Sequence, residues 1–291
     1  MTQVTVDPFP VAALAALFDD GLPTPGQGDP LPPYWHLAAC EVPARTGDLG
    51  PEGHSHAGPL TPPPELPRRM FAGGKLRLAG QVRVGDRLER VTRVVTSTDK
   101  QGRSGPLRFV TVEDRMVHPG GGEALVDEHD IVYRPAAPRP SQPPARDSGG
   151  APGPATSPDS GLAPGPLLAR RGPLRAGFLA GPAALQRFSA ATSNAHRIHY
   201  DHPYVTAVEG YPGLLVHGTL LLLSLLELVR LDLPGRAVTQ VEFRARSPVF
   251  AGEQVDLSGE LAGESGGPGA VTLTARHTDG RVAMSCTSTF G

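Results

Sequence analysis

Residues Phe188–Asp201 read FSAATSNAHRIHYD, and further on Val216–Gly218 reads VHG at the head of the run GTLLLLSLLELVRL that ends at Leu231. The first stretch crowds Asn194, His196, His199 and Asp201 into a polar loop. The second is a His-Gly pair opening an apolar helix. Taken singly, each of these residues is an ordinary loop residue. Together they set proton-carrying side chains before a helix N-terminus, where the backbone offers free N–H groups and partial positive charge. The leucine run is broken by Ser224 and Glu227, and its clean core is too short to span a bilayer. It is therefore expected to be a buried helix with a sheet wrapped round it.

Around that helix the chain alternates as strands do. Gln81–Val91, QVRVGDRLERV, and Pro248–Ser258, PVFAGEQVDLS, each read as two extended stretches meeting at a turn on Gly85 or Gly252. Arg108–Val117, Ala124–Tyr133, Val271–His277 and Val282–Phe290 are further expected strands, and Val11–Phe18 is the one helix candidate of the first half. Between the halves, Pro135–Pro166 carries ten prolines and five glycines, with Leu162 its only large apolar residue. That composition cannot offset the entropy of ordering and reads as a flexible linker. The expected division is 1–134, a linker over 135–170, and 171–291. The expected class is α+β: two antiparallel sheets, each wrapping a central helix.

Composition narrows the function. With 27 basic and 29 acidic side chains the formal charge is −2, so there is no basic field to hold nucleic acid or an anionic membrane. Cys40 and Cys286 are too few for a metal site or a disulfide framework and fit a reducing compartment. With no basic-then-apolar leader near Asp7, a soluble, cytoplasmic protein is expected.

The segment Phe188–Asp201 resembles the MaoC-like hydratase motif of hot-dog proteins, F-A-x-L-S-x-D-x-N-P-x-H with a downstream I-V-H-G helix start. Phe188 matches the aromatic opening, and Arg244–Glu253, RARSPVFAGE, matches the strand-bulge-strand after the helix. LGPEGH, LPRRMFAGG, VGDRLERV and DEHDIVYR are similar to the N-terminal half of two-hot-dog 3-hydroxyacyl-thioester dehydratases. That group includes mesaconyl-C4-CoA and itaconyl-CoA hydratases, in which N-x-H-R-I-H-Y-D stands for D-x-N-P-x-H, as here. The resemblance implies a double hot-dog fold with a degenerate N-terminal half. It implies a hydro-lyase acting on enoyl or 3-hydroxyacyl thioesters of coenzyme A, with short branched dicarboxylic acyl groups first and fatty-acyl chains second. It puts His199 at the catalytic histidine, Asn194 at the catalytic aspartate and Gly218 at the glycine whose amide faces the thioester carbonyl.

The departure at Asn194 has a chemical consequence, because an amide cannot accept a proton at ordinary pH. Asn194 is left with hydrogen bonding, and His199, a side chain expected to titrate near neutrality, is the expected main acid/base. His196 and Asp201 are the candidates to compensate for the aspartate, by orienting His199 or sharing its proton. His196, Arg197, Tyr200, Asp201 and His217 are expected to line or orient the site. Arg68 and Arg69 are candidates for the coenzyme A phosphates. No metal or redox cofactor is implied, since no ligand cluster or Gly-rich dinucleotide loop occurs. The expected partner is an acyl-CoA, and a homodimer is one assembly the fold allows. A thioesterase and a non-catalytic acyl-thioester binder are the alternatives from other classes.

Overall fold

The computed structural model describes residues 1–56, 60–102, 105–136, 165–262 and 269–291. The central part of the expected linker lies outside these residues. The first half comprises β1 (Thr2–Thr5), α1 (Pro8–Phe18), α2 (His36–Ala39), β2 (Arg68–Leu78), β3 (Arg87–Gly102), β4 (Gly105–Val117) and β5 (Glu123–Arg134). The second comprises β6 (Leu168–Gly172), β7 (Arg175–Leu179), α3 (Pro182–Ala191), α4 (His202–Ala207), α5 (Gly218–Asp232), β8 (Val238–Ala245), β9 (Gln254–Ala262), β10 (Ala270–His277) and β11 (Val282–Phe290). Strand β6 begins at Leu168, with Leu167 and Leu168 buried, so the last residues of the span expected as linker are ordered strand.

Helix α5 is the core of the second half. Every residue from Leu220 to Val229 is buried, including Ser224 and Glu227. Ser224 satisfies its hydroxyl by donating to the Leu220 carbonyl at 2.8 Å. Glu227 accepts from Arg230 at 2.7 Å, and Arg230 also pairs with Asp20, just beyond α1. Burial pushes the Glu227 carboxyl up to about 8. No helix among the described residues is long and apolar enough to cross a membrane. In the first half, Asp7 caps α1 by accepting from the Phe9 amide at 2.8 Å, with Pro8 at the first helical position. Tyr34 and Trp35 are buried, and Trp35 stacks on Phe18 of α1 with ring centroids 6.1 Å apart.

The double hot-dog arrangement is present, but the two expected sheets are not separate. They join edge to edge through β2 and β8 into one eleven-stranded sheet, ordered β1-β3-β4-β5-β2-β8-β11-β10-β9-β7-β6. The joint is antiparallel, pairing Gly73 with Arg244 and Gly74 with Phe243. The glycines are needed there because β2 is flanked by strands on both sides. A Cβ on Gly73 would stand 2.7 Å from the Phe243 carbonyl oxygen, and one on Gly74 would stand 2.5 Å from that of Glu128. The register of β2 with β5 shifts between Phe71 and Gly73, a bulge that bends β2 where it passes the start of α5. Gly74→Ala is expected to destabilise the protein by about 1–3 kcal/mol, because the new Cβ meets backbone on β5 and the Phe243 ring. A urea titration followed by circular dichroism measures it, and an unchanged midpoint contradicts it.

Candidate active site

The polar loop after α3 is held by its own short-range hydrogen bonds. Ser193 takes the left-handed conformation (φ 48°), and the Asn194 amide donates back to the Ser189 carbonyl at 2.9 Å. The Asn194 side-chain oxygen accepts from the His196 amide at 3.0 Å, which leaves its NH2 group to point elsewhere. Arg197 forks onto Asp201 at 2.9 and 2.8 Å and lies over the Tyr204 ring at 4.1 Å. The other Asp201 oxygen caps α4, accepting from the Tyr204 amide at 3.0 Å.

A loop of the first half clamps this segment. Arg197 donates its backbone N–H to the Glu52 carbonyl at 2.8 Å and its guanidinium to the Pro51 carbonyl at 2.9 Å. Gly53 (φ 93°) lets the loops touch, for a Cβ there would sit 1.8 Å from the Ala195 carbonyl oxygen. Glu52 is buried and hydrogen-bonds His56 at 2.6 Å.

The clamp brings four imidazoles into ring contact. His54 lies 4.3 Å from His196 between ring centroids, His196 lies edge-on to His199 at 5.6 Å, and His199 stacks on His217 at 3.5 Å and 17°. His199 donates Nδ1–H to the Leu215 carbonyl at 2.8 Å, which fixes the tautomer and leaves Nε2 as a lone-pair acceptor with no partner among the described residues. His217 hydrogen-bonds the Ser189 hydroxyl through Nε2 at 2.9 Å, while its buried Nδ1 has no partner. Burial holds His199 down to about 4, against the near-neutral titration expected from sequence. His54, His196 and His217 are also lowered, first by burial and then by neighbouring positive groups. All four are therefore neutral at pH 7.

These rings border a cavity of about 710 Å³, ample for a ligand the size of a short acyl thioester. Gly218, the first residue of α5, opens into it, and a Cβ there would meet the Phe71 ring of β2 at 2.9 Å. Its N–H belongs to the unsatisfied first turn of a long helix. The carboxylates of the cavity wall are engaged. Asp127 accepts from the Tyr34 hydroxyl at 2.9 Å and pairs with His36 at 3.1 Å, and Asp114 takes the Arg90 fork at 2.9 and 2.8 Å. Among the described residues no cluster of His, Cys, Asp or Glu is arranged to hold a metal.

Of the residues expected at the site, Asn194, His196, His199, His217, Gly218 and Arg69 line the cavity. Arg68, Arg197, Tyr200 and Asp201 do not. Arg68 is bound to Glu209 at 2.6 Å, Tyr200 is exposed with its hydroxyl on the Ala195 carbonyl, and Arg197 and Asp201 neutralise each other. Asp201 is thus a cap rather than a replacement for the missing aspartate. Sequence reasoning gave His54 and His129 no role, yet both line the cavity. The signal for His54 was present in LGPEGH, whose Pro51–Gly53 make the clamp and whose last residue is His54.

A buried histidine with a free Nε2, an unsatisfied helix N-terminus and a pocket between two hot-dog halves define an acyl-thioester hydratase or dehydratase site. The sequence model of the hydroxyacyl-thioester dehydratase type 2 family matches residues 34–251, and the chain belongs to that family. The chain is 36% identical to the mesaconyl-C(4)-CoA hydratase of Chloroflexus aurantiacus over 279 residues, 96% of this chain and 90% of that protein. Among solved structures, HtdX of Mycobacterium tuberculosis superposes with a TM-score of 0.61 at 18% identity, covering 99% of this chain and 98% of that one. A second Mycobacterium tuberculosis protein, described as a double hot-dog fold, gives 0.56 at 18% identity over 99% and 93% of the two chains.

His199→Ala is expected to lower kcat by about 10²–10⁴-fold with folding intact, whereas His54→Gln, two rings along the row, should cost less. Steady-state kinetics on the two variants measures this. A His199→Ala protein with full activity would show that another group carries the proton.

Proposed function

We propose that the protein adds water reversibly across the α,β-double bond of a short, branched, dicarboxylic enoyl-CoA, with mesaconyl-C4-CoA as the first candidate. The observation that carries the reading is the His199 imidazole, neutral, tautomerically fixed, with its free Nε2 in the same cavity as the Gly218 amide. The name of the Chloroflexus aurantiacus relative supports the acyl group. A second reading, fatty 3-hydroxyacyl thioesters, draws on the family description. The part of the cavity reaching into the first half sets the polar groups of Tyr34, Arg90, Asp114 and Asp127 beside the apolar side chains of Leu37, Phe71, Met116 and Ile131, a mixed wall that suits a short acyl group with one charged end.

In this reading the thioester carbonyl faces the α5 N-terminus, where the Gly218 N–H steadies negative charge as it develops on oxygen. The Asn194 NH2 group holds the attacking water, because its oxygen is already engaged by the loop. His199 Nε2 takes a proton as the water oxygen bonds to the β-carbon, and the π electrons move toward the thioester oxygen. The imidazolium then gives its proton to the α-carbon. One water is consumed and the histidine is restored. The low pKa makes His199 a weaker base than a solvated imidazole, but the free base is the form present at neutral pH and its conjugate acid is a strong donor to a weakly basic carbon. Arg246, exposed on the cavity rim, is suited to the coenzyme A phosphates.

Incubation with crotonyl-CoA and mesaconyl-C4-CoA tests the reading. Enoyl absorbance should fall with both, faster with the dicarboxylic substrate, and no thiol should be released. Thiol release would make the protein a thioesterase, and no change with either substrate would leave a non-catalytic binder.

A further inference from the structure

Among the described residues, Arg69 is the one arginine of the cavity wall that combines partial burial with no bound partner. It sits on β2 opposite Tyr133 of β5, two residues before Phe71 and so on the same face of the strand, toward the start of α5. Arg90, by contrast, has Asp114 and Glu41. Arg134 donates to the Tyr211 hydroxyl and lies over its ring. Arg246 is exposed to solvent. Among the described residues Arg69 has no hydrogen bond and no ion pair, although its guanidinium carries five donors. Glu52, whose charge reaches it, is committed to His56 at 2.6 Å. The other groups within reach of its charge are the neutral imidazoles of His54, His129 and His196 and the Tyr133 phenol.

A half-buried guanidinium that faces the cavity without a protein acceptor is free to take an anionic group of a ligand at two points. We propose that Arg69 is the receptor for a carboxylate carried on the acyl β-carbon, and is therefore the residue that selects dicarboxylic over simple enoyl thioesters. The inference rests on the hydratase reading above. Two features favour an acyl carboxylate over a coenzyme A phosphate. First, Arg69 shares the cavity with His196 and His199, and its strand passes the start of α5 two residues further on, where Phe71 meets Gly218, so it lies on the acyl side of the pocket. A carboxylate on the β-carbon is one bond from the carbon that takes the hydroxyl, whereas the phosphates are a full pantetheine arm away. Second, the planar guanidinium fork matches a carboxylate at two points. Phe71, two residues on, then offers an apolar face to the methyl branch of such an acyl group.

The test compares kcat/KM for mesaconyl-C4-CoA with that for crotonyl-CoA in the wild type, Arg69→Met and Arg69→Lys. In Arg69→Met the ratio of the two values should fall at least about 10²-fold, with KM for mesaconyl-C4-CoA carrying much of the loss. Arg69→Lys, which keeps the charge but loses the fork, should lie between. Because Arg69 holds nothing in the free protein, Arg69→Met should also leave the thermal midpoint equal or higher. A ratio unchanged within about threefold, with both substrates losing equally and free coenzyme A inhibiting less well, would overturn the inference in favour of a phosphate contact. A lowered thermal midpoint with an unchanged ratio would overturn it in favour of a structural role. A wild type that hydrates crotonyl-CoA alone would remove the dicarboxylic substrate itself, a failure visible before any variant is made.

Discussion

The hydrogen bond from His199 Nδ1 to the Leu215 carbonyl, with the His217 ring stacked behind, is the contact on which the rest of the site depends. It fixes which nitrogen is free. It also ties the catalytic loop to the strand-like segment leading into α5, so one interaction sets both the base and the helix terminus it works against. The stack has an electrostatic consequence, since two imidazoles 3.5 Å apart in a buried place cannot both be charged. Burial keeps the row neutral, so that in the proposed reaction His199 is wholly in its free-base form at physiological pH. The same burial links stability to acidity. The unfolded chain binds protons below the ordinary histidine value while the folded chain resists them, so stability is complete above that value and falls as pH drops through it. The slope is about 1.4 kcal/mol per pH unit for each such histidine.

Neither half of the chain makes the site alone. The second half supplies Asn194, His196, His199, His217 and the α5 terminus. The first supplies the clamp at Pro51–Gly53, His54, and the β2 face bearing Arg69 and Phe71. The edge-to-edge joint of β2 with β8 holds these parts in register, and the glycine pair at Gly73 and Gly74 is the local condition for that joint. The first half lacks a counterpart of the Asn194–His199 loop at the cavity, yet it supplies a large part of the cavity wall.

Much of this was legible in the sequence. The leucine run gave α5 almost to its ends, and the alternating stretches at Arg108–Val117, Ala124–Tyr133, Val271–His277 and Val282–Phe290 all became strands. Gly85 and Gly252 do take positive φ at turns. The motif loop supplied His199, Asn194 and Gly218 at the cavity. What escaped was set by tertiary contact. RRMFAGG followed a proline-rich stretch and did not alternate, so β2, the strand that joins the halves, was hidden by the glycines that make the joint possible. Asp201 and Arg197 looked like site residues because they sit beside His199, but neighbours in sequence on a tight turn point different ways. The depressed histidine pKa was not visible either, since burial of a loop residue depends on what folds over it, here the segment around Glu52.

The pH dependence of kcat/KM for enoyl-CoA hydration tests the central claim most directly, because it reports the ionisation of the free enzyme. Short pH-jump assays keep acid unfolding out of the measurement. A buried, neutral His199 acting as base predicts a flat profile through neutral pH and an acid limb with its midpoint near 4. An acid limb near the ordinary imidazole value of about 6.5 would contradict it, and would mean that the catalytic base is a solvated histidine.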